Sequence, residues 1–308
     1  MEIYLPIAEQ SMSIFVLLAL GGAAGLLAGM FGVGGGFLAT PLLIFVGIPP
    51  TVAVASQANQ VIANSVSSLQ VQWRRGNVDL RMGLVLLLGG MIGSSAGVSL
   101  FTYLQRIGQI DFVIAVLYVI MLSTIGGLMV IESLRTYIRG RRHPEAPRGK
   151  LHQHYLVHRL PLKMRFYKSK LYISALLPIG LGFTIGILSA ILGVGGGFVL
   201  VPAMIYLLGM PTSVVIGTSN FQILFVAANV TFLQSVTNGT VDVVLALLLI
   251  LGGVVGAPIG ARLAGKLPGV VLRGLMALLI LAVAAELLVE LLRTPSSPYS
   301  LSIREVLS

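Results

Sequence analysis

The stretch at residues 31–41, FGVGGGFLATP, places four glycines and a proline in eleven positions, with long apolar runs on both sides. The same device returns at 192–202 as LGVGGGFVLVP, identical at seven of the eleven positions and 161 residues further on. Glycine and proline at that density end a helix. Each copy therefore predicts a break inside an otherwise helical, apolar region.

Outward from the breaks the duplication continues. Apolar segments fall at about 11–31, 37–48, 51–73, 80–104 and 109–139, then at about 172–192, 198–209, 212–235, 242–265 and 269–293. Gly21, Gly25 and Gly29 are echoed by Gly182, Gly186 and Ala190, Pro50-Thr51 by Pro211-Thr212, and Asn59 by Asn220. The offset then slips by two residues, so that Val78-Asp79 matches Val241-Asp242 and Gly89, Gly93 and Gly97 match Gly252, Gly256 and Gly260. A tandem duplication with one small indel accounts for this. It divides the chain into a first membrane repeat (11–139), a basic loop (140–170), a second membrane repeat (171–293) and a C-terminal tail (294–308). Internal repeats of this kind typify transporters. The small-xxx-small glycine spacing predicts helices whose backbones approach closely in lipid.

The composition fits a membrane. Of 308 residues 56% are hydrophobic and 10% charged, against roughly 25% charged in a soluble domain. Several runs reach the roughly 18 to 20 apolar residues of a spanning helix. The first is not expected to be a cleaved signal peptide, because residues 1–10 carry Glu2 and Glu9 and no Lys or Arg. The absence of cysteine excludes disulfides and thiolate chemistry. The net charge of +10 is concentrated: eleven of the twenty Lys and Arg, and all four histidines, lie between Arg135 and Lys170. A basic cytoplasmic loop explains that concentration, and no nucleic-acid partner is expected. The spacing His152-x-His154-x3-His158 sits among Arg and Lys in the same polar loop and reads as a solvated segment, with no metal site expected.

Sidedness follows loop by loop. The turn after the third segment carries Arg74, Arg75 and Arg81 in the first half and no Lys or Arg near Asn238 in the second. The next turn carries only Arg106 in the first half, but Arg262, Lys266 and Arg273 in the second. The bias has changed loops. The expected architecture is an all-α polytopic membrane protein of two inverted repeats, about five segments each, with both termini outside and the basic loop cytoplasmic.

The second segment of each unit has only some twelve residues, about 18 Å of helix against a hydrocarbon core of roughly 30 Å. Each GVGGG is thus read as a re-entrant turn followed by a half-helix, tolerated at depth only beside protein or a watery cavity. The half-helix N-termini at Gly34, Gly35, Gly36 and Phe37, and at Gly195, Gly196, Gly197 and Phe198, would present free N–H groups to an anion. The alternative is that these glycines serve tight packing alone. A phosphate-loop reading fails for want of the GK[ST] context.

The third segments, TVAVASQANQVIANSVSSLQVQW and TSVVIGTSNFQILFVAANVTFLQ, hold the polar residues. Buried amides must face partners or an aqueous pathway. Gln57, Asn59, Thr218, Ser219 and Asn220 are the candidate substrate-binding side chains, with interhelical hydrogen bonding as the alternative role. Glu286 lies well inside an apolar run and is a candidate proton relay, or part of an interfacial cluster with Glu290 and Arg293. Gly217-Thr218-Ser219-Asn220 resembles a serine-nucleophile turn, but no histidine lies in an apolar segment to activate it. No catalytic residue and no cofactor are expected.

The twin GVGGGF…P turns, GTSN, the GNVD and GTVD turns and GAPIGARLAGKLPG together resemble the TauE/SafE family of sulfite and organosulfonate exporters. The resemblance implies a secondary carrier, in bacteria an inner-membrane one, that moves sulfite, sulfoacetate or a related sulfur-containing anion outward. ASQANQ stands in the first half where GTSNF stands in the second, so the site is expected to be asymmetric. The expected partners are a small anion and membrane lipid, with a homo-oligomer left open. The rival readings are a proton-coupled importer, a carrier of another organic anion, a channel and an intramembrane enzyme.

Overall fold

Each half of the chain opens on a short β-hairpin and runs on through a broken helix into three longer ones. The structure, a computed structural model, describes residues 2–31, 36–142, 162–169, 171–264 and 269–292. The first half contains β1 (Glu2–Leu5), β2 (Gln10–Ser13), α1 (Ile14–Phe31), α2 (Gly36–Phe45), α3 (Pro50–Arg74), α4 (Leu80–Arg106) and α5 (Ile110–Arg142). The second contains β3 (Lys163–Phe166), β4 (Leu171–Ser174), α6 (Leu176–Leu192), α7 (Gly197–Tyr206), α8 (Thr212–Leu233), α9 (Val243–Ala264) and α10 (Gly269–Leu292). A π-helical turn, Gln234–Asn238, continues α8. Most of the basic loop, with all four histidines, and the C-terminal tail lie outside the described residues.

The helical class is as expected from the sequence, with the two hairpins added. Antiparallel pairing of Glu2 with Ser13 recurs as Lys163 with Ser174, at the same offset of 161. Both hairpins begin upstream of residues 11 and 171. Leu5 and Phe166, at equivalent positions, are both fully buried. Leu5 joins Leu43, Ala53 and Leu249, and Phe166 joins Met82, Leu86 and Met204.

Among the described residues four helical spans, Leu80–Arg106, Ile110–Ile131, Ser213–Asn238 and Val243–Gly260, are long and apolar enough to cross a membrane. α3 is long but interrupted by Ser, Gln and Asn, and buries Ser56, Gln57, Gln60 and Ser65 completely. The half-helices α2 and α7 have ten residues each, about 15 Å of rise.

The halves interlock. α1 packs on α9 and α4 on α6 along the glycine stripes. Gly21, Gly25 and Gly29 meet Leu249, Gly253 and Ala257 in ascending order, so α1 and α9 run parallel. Gly89 and Gly93 meet Ile179 and Phe183, so α4 and α6 do too. Between α3 and α9, the Ser56–Asp242 and Gln60–Leu249 hydrogen bonds also ascend. Between α4 and α8, Ser94–Asn229 and Thr102–Asn238 do the same. α3 and α8 are antiparallel, because Asn77 lies against Gly217 while Ser68 bonds Asn220. Hence α1, α3 and α9 run one way and α4, α6 and α8 the other. Each of α1, α3 and α4 points opposite to its counterpart in the second half.

Candidate functional site

The second break shows how the chain leaves a helix at depth. α6 ends at Gly193, whose positive φ of 68° lets its N–H donate to Ser189 O at 2.9 Å. Gly195 and Gly196 also adopt positive φ (68° and 75°), which only glycine takes without strain, and α7 begins at Gly197. Ending a helix frees its last carbonyls, and distant side chains answer two of them. Gln234 Nε2, from the π-helical turn, donates to Ala190 O at 3.5 Å. Tyr118 Oη, from α5, donates to Leu192 O. Tyr118 is fully buried, so Tyr118→Phe leaves that carbonyl unpaired and is expected to cost about 1–3 kcal/mol. The check is a lowered Tm in detergent, and an unchanged Tm would show that another donor holds the break.

In the first break Gly34 and Gly35 lie outside the described residues, and Gly36 is the first residue of α2. The two half-helices start against each other. Phe37 and Phe198 stack with ring centroids 4.2 Å apart and planes 8° apart, both rings buried. Such a pair contributes about 0.5–1.5 kcal/mol beyond its buried area, and it fixes the two N-termini side by side. Val61 of α3 wedges between the breaks: a Cβ on Gly36 would lie 2.7 Å from its Cγ2, and one on Gly195 would lie 2.3 Å from its Cγ1. No side chain larger than hydrogen fits at either place.

One turn to either side of Val61, on the same stripe of α3 at spacing i, i+4, i+8, lie Gln57 and Ser65. Both are 0% exposed. Neither amide atom of Gln57, nor the Ser65 hydroxyl, has a hydrogen-bond partner among the described residues. A buried polar group left unpaired costs about 1–3 kcal/mol. Such groups in a native interior mark a strain reservoir, a functional role, or an uncounted water or ion.

Several other residues singled out in the sequence are engaged elsewhere. Thr218 Oγ1 accepts the Asp79 N–H at 3.0 Å. Asn220 Nδ2 donates to Ile216 O at 2.7 Å and to Ser68 Oγ at 3.0 Å. Asn59 is half-buried and donates to Ser56 O of its own helix, at 3.4 Å. Ser219, buried, donates to Ile216 O and stands one turn from Ile223, which lines the space beside Gly195. Gly197 is buried at the start of α7. Glu286 is exposed on α10 and is not brought to the breaks. The structure adds Ser65, Val61 and Tyr118, together with Gln222, whose buried amide is also unpartnered and lies beside Gly90. A usable signal for Ser65 was its spacing of eight from Gln57. Tyr118 carried none, since nothing local couples it to residue 192.

The arrangement suits an anion. The N–H groups at the start of a helix lack acceptors within it, although at α7 the Val199 N–H donates to Gly196 O at 3.1 Å, and each helix start carries about half a positive charge. A unit negative charge about 4 Å from one such end gains about 2 kcal/mol at an effective dielectric near 20. Two ends give about 4 kcal/mol, nearly a thousandfold in affinity, so the juxtaposition of both outweighs either alone.

The sequence profile described as Sulfite exporter TauE/SafE matches residues 17–287. A probable membrane transporter protein of Xylella fastidiosa (strain 9a5c) is 30% identical over 246 residues, covering 79% of this chain and 82% of the relative. The probable membrane transporter protein YunE of Bacillus subtilis (strain 168) is 25% identical over 289 residues, 91% of this chain and 98% of the relative. Sulfite exporter TauE/SafE family protein 2 of Arabidopsis thaliana is 28% identical over 141 residues, 44% of this chain and 30% of the relative. No solved structure matches the chain. With broken half-helices meeting between interlocked halves, and a family profile that spans nearly all of its described helices, the chain belongs to the sulfite exporter TauE/SafE family and is a multi-pass membrane transporter.

Proposed function

We propose that this transporter is a secondary carrier that exports a small sulfur-containing anion, such as sulfite or an organosulfonate, by alternating access. The observation that carries the reading is the buried, unpartnered polar pair Gln57 and Ser65 on either side of Val61, against the glycine breaks. An oxyanion supplies acceptors for the Gln57 amide, the Ser65 hydroxyl and the N–H groups of Gly36, Phe37, Gly197 and Phe198, and its charge is met by two helix ends. Ser219 is placed to contribute from α8. The description of the family and the name of the Arabidopsis relative support a sulfur oxyanion as the class.

Opposed helix directions in the two halves support an inverted repeat, with one half rocking on the other. Arg74, Arg75, Arg81, Arg165 and Lys168 are exposed around the start of α4, which supports a cytoplasmic assignment for that face of an inner-membrane protein. An anion leaving a cell that is negative inside runs with the potential, by about 2.3 kcal/mol per charge per 100 mV. Export then needs no coupling ion, and the exposed position of Glu286 gives a proton relay no support.

The test is a thermal-shift panel of sulfite, sulfoacetate, taurine, thiosulfate, acetate and phosphate on purified protein. A ligand at about 100 times its Kd adds about 2.7 kcal/mol to stability. The expected result is a raised Tm with sulfite or an organosulfonate and none with acetate or phosphate, with saturable exchange of the same anion in vesicles. A shift with acetate alone would move the substrate to other organic acids, and current without exchange would make the protein a channel.

A further inference from the structure

Two aspartates and the two hairpins form a pair of matching joints, one at each end of the helix bundle. Asp79, at the start of α4, accepts the Met82 N–H through Oδ1 at 3.2 Å. Its Oδ2 accepts the Ser169 N–H at 3.0 Å and the Ser169 hydroxyl at 2.6 Å, from the turn of the second hairpin. Its own N–H goes to Thr218 of α8. Asp242, at the start of α9, repeats the plan. Oδ1 accepts the Leu245 N–H at 3.0 Å, Oδ2 accepts the Ile7 N–H at 3.0 Å from the first hairpin, and its N–H goes to Ser56 of α3 at 2.9 Å.

Each carboxylate therefore caps a helix of its own half with one oxygen. With the other it holds the hairpin of the opposite half, and its backbone holds that half's polar helix. Asp79 is 3% and Asp242 0% exposed. α4 and α9 run in opposite directions, so the two joints close opposite ends of the molecule. Both joints are made in this structure, and Ser65 between them is fully buried. The surroundings differ in charge: the Asp79 joint carries exposed Arg81 and Arg165 over the Tyr167 ring, at 5.3 and 5.5 Å, and Lys168 bonded to Gly76 O. The hairpin at the Asp242 joint has Glu2 and Glu9 and no Lys or Arg.

We propose that Asp79 and Asp242 are positioning residues of the transport cycle, each clasping the opposite half so that its own end of the pathway is shut. The inference rests on the alternating-access reading. A carrier of that kind must release one end while holding the other. The two hairpin joints are equivalent bonds between halves, at opposite ends, that can be broken singly while the helix cap is kept.

The chain contains no cysteine, so Ser65→Cys provides a unique reporter. Asparagine caps a helix as well as aspartate does. Asp79→Asn and Asp242→Asn thus keep the cap, but turn the hairpin-facing oxygen into an amide donor pointed at the backbone N–H of Ser169 or Ile7. Each is combined with Ser65→Cys, and a membrane-impermeant thiol reagent is applied from one side or the other of oriented vesicles. Asp79→Asn is expected to speed labelling about tenfold from the Arg-rich face alone, the population shift of one lost bond to a carboxylate. Asp242→Asn is expected to do so from the opposite face alone. Ser169→Ala, which removes the hydroxyl donor to Asp79 Oδ2 and leaves the Ser169 N–H in place, should give a smaller change on the Arg-rich side, and it carries the test if Asp79→Asn does not fold. Equal labelling from both faces, acceleration from the wrong face, or no change in monodisperse protein would overturn the proposal. The assay uses no substrate. Absent anion binding with one-sided labelling would remove the sulfur-anion reading and leave the clasps, and the reverse pattern would do the opposite.

Discussion

Gly29→Val is expected to abolish recovery of folded protein. A Cβ at this position would lie 2.0 Å from Ala257 O and 2.9 Å from Ala257 C, where real Cβ atoms are essentially never found. The obstacle is backbone, so no side-chain rotation relieves it and α1 must lift away from α9. Gly21 and Gly25 would then lose their own approaches to Leu249 and Gly253 on the same seam. In lipid no hydrophobic force replaces that packing, since the tails are as apolar as the side chains, and close backbone approach is itself the source of association. Overpacking in a well-packed interior costs about 1–3 kcal/mol, and a seam shared along three helical turns puts this case at or above the upper end. Gly127→Ala is the control: it lies in α5 with nothing within 4 Å, and is expected to be neutral or to gain up to about 1 kcal/mol of helix propensity. The readouts are monodisperse yield and Tm. Should the two variants behave alike, the glycine seam would not be what joins the halves.

Gln57→Leu is expected to separate stability from function, with opposite signs. Both amide atoms are buried and have no partner among the described residues, so the wild-type side chain carries its desolvation cost with no compensating bond from them. Leucine of similar bulk removes that cost and should raise Tm by the equivalent of about 1 kcal/mol or more. The same change removes a buried amide from the α3 stripe that faces the breaks, and the anion-induced Tm shift and vesicle exchange should fall below detection. A lower Tm in the variant would mean that Gln57 is held by a structural bond. A retained anion shift would move the site away from α3 and leave the helix ends as its only ligands.

Local chemistry made the fold readable. A helix-breaking pentapeptide in an apolar chain, found twice, located the half-helices whatever they touch, because glycine ends a helix and the remaining length cannot cross a membrane. The hairpins escaped notice because four-residue strands such as Glu2–Leu5 hold too few alternations to stand out beside charged loop residues. At the site, the sequence named the polar residues of the third segments but not their employment. Thr218 and Gln57 occupy equivalent positions at the offset of 161, yet one hydroxyl is tied to Asp79 and the other side chain is unpaired.

By itself the sequence determined that this protein is a membrane-embedded helical transporter, that its unit is duplicated, and where each unit is broken. These follow from hydropathy, chain length and the backbone preferences of glycine and proline, all of which act locally. The seating of α1 on α9 and of α6 on α4, and the Tyr118 bond at the second break, came from the packing of distant segments. The same packing leaves Gln57 and Ser65 with no partner among the described residues while Asn59, Thr218 and Asn220 are engaged elsewhere. A small-xxx-small stripe specifies close approach and not the identity of the neighbour, and a buried amide is free or paired according to what the opposite half of the chain brings within 3 Å of it.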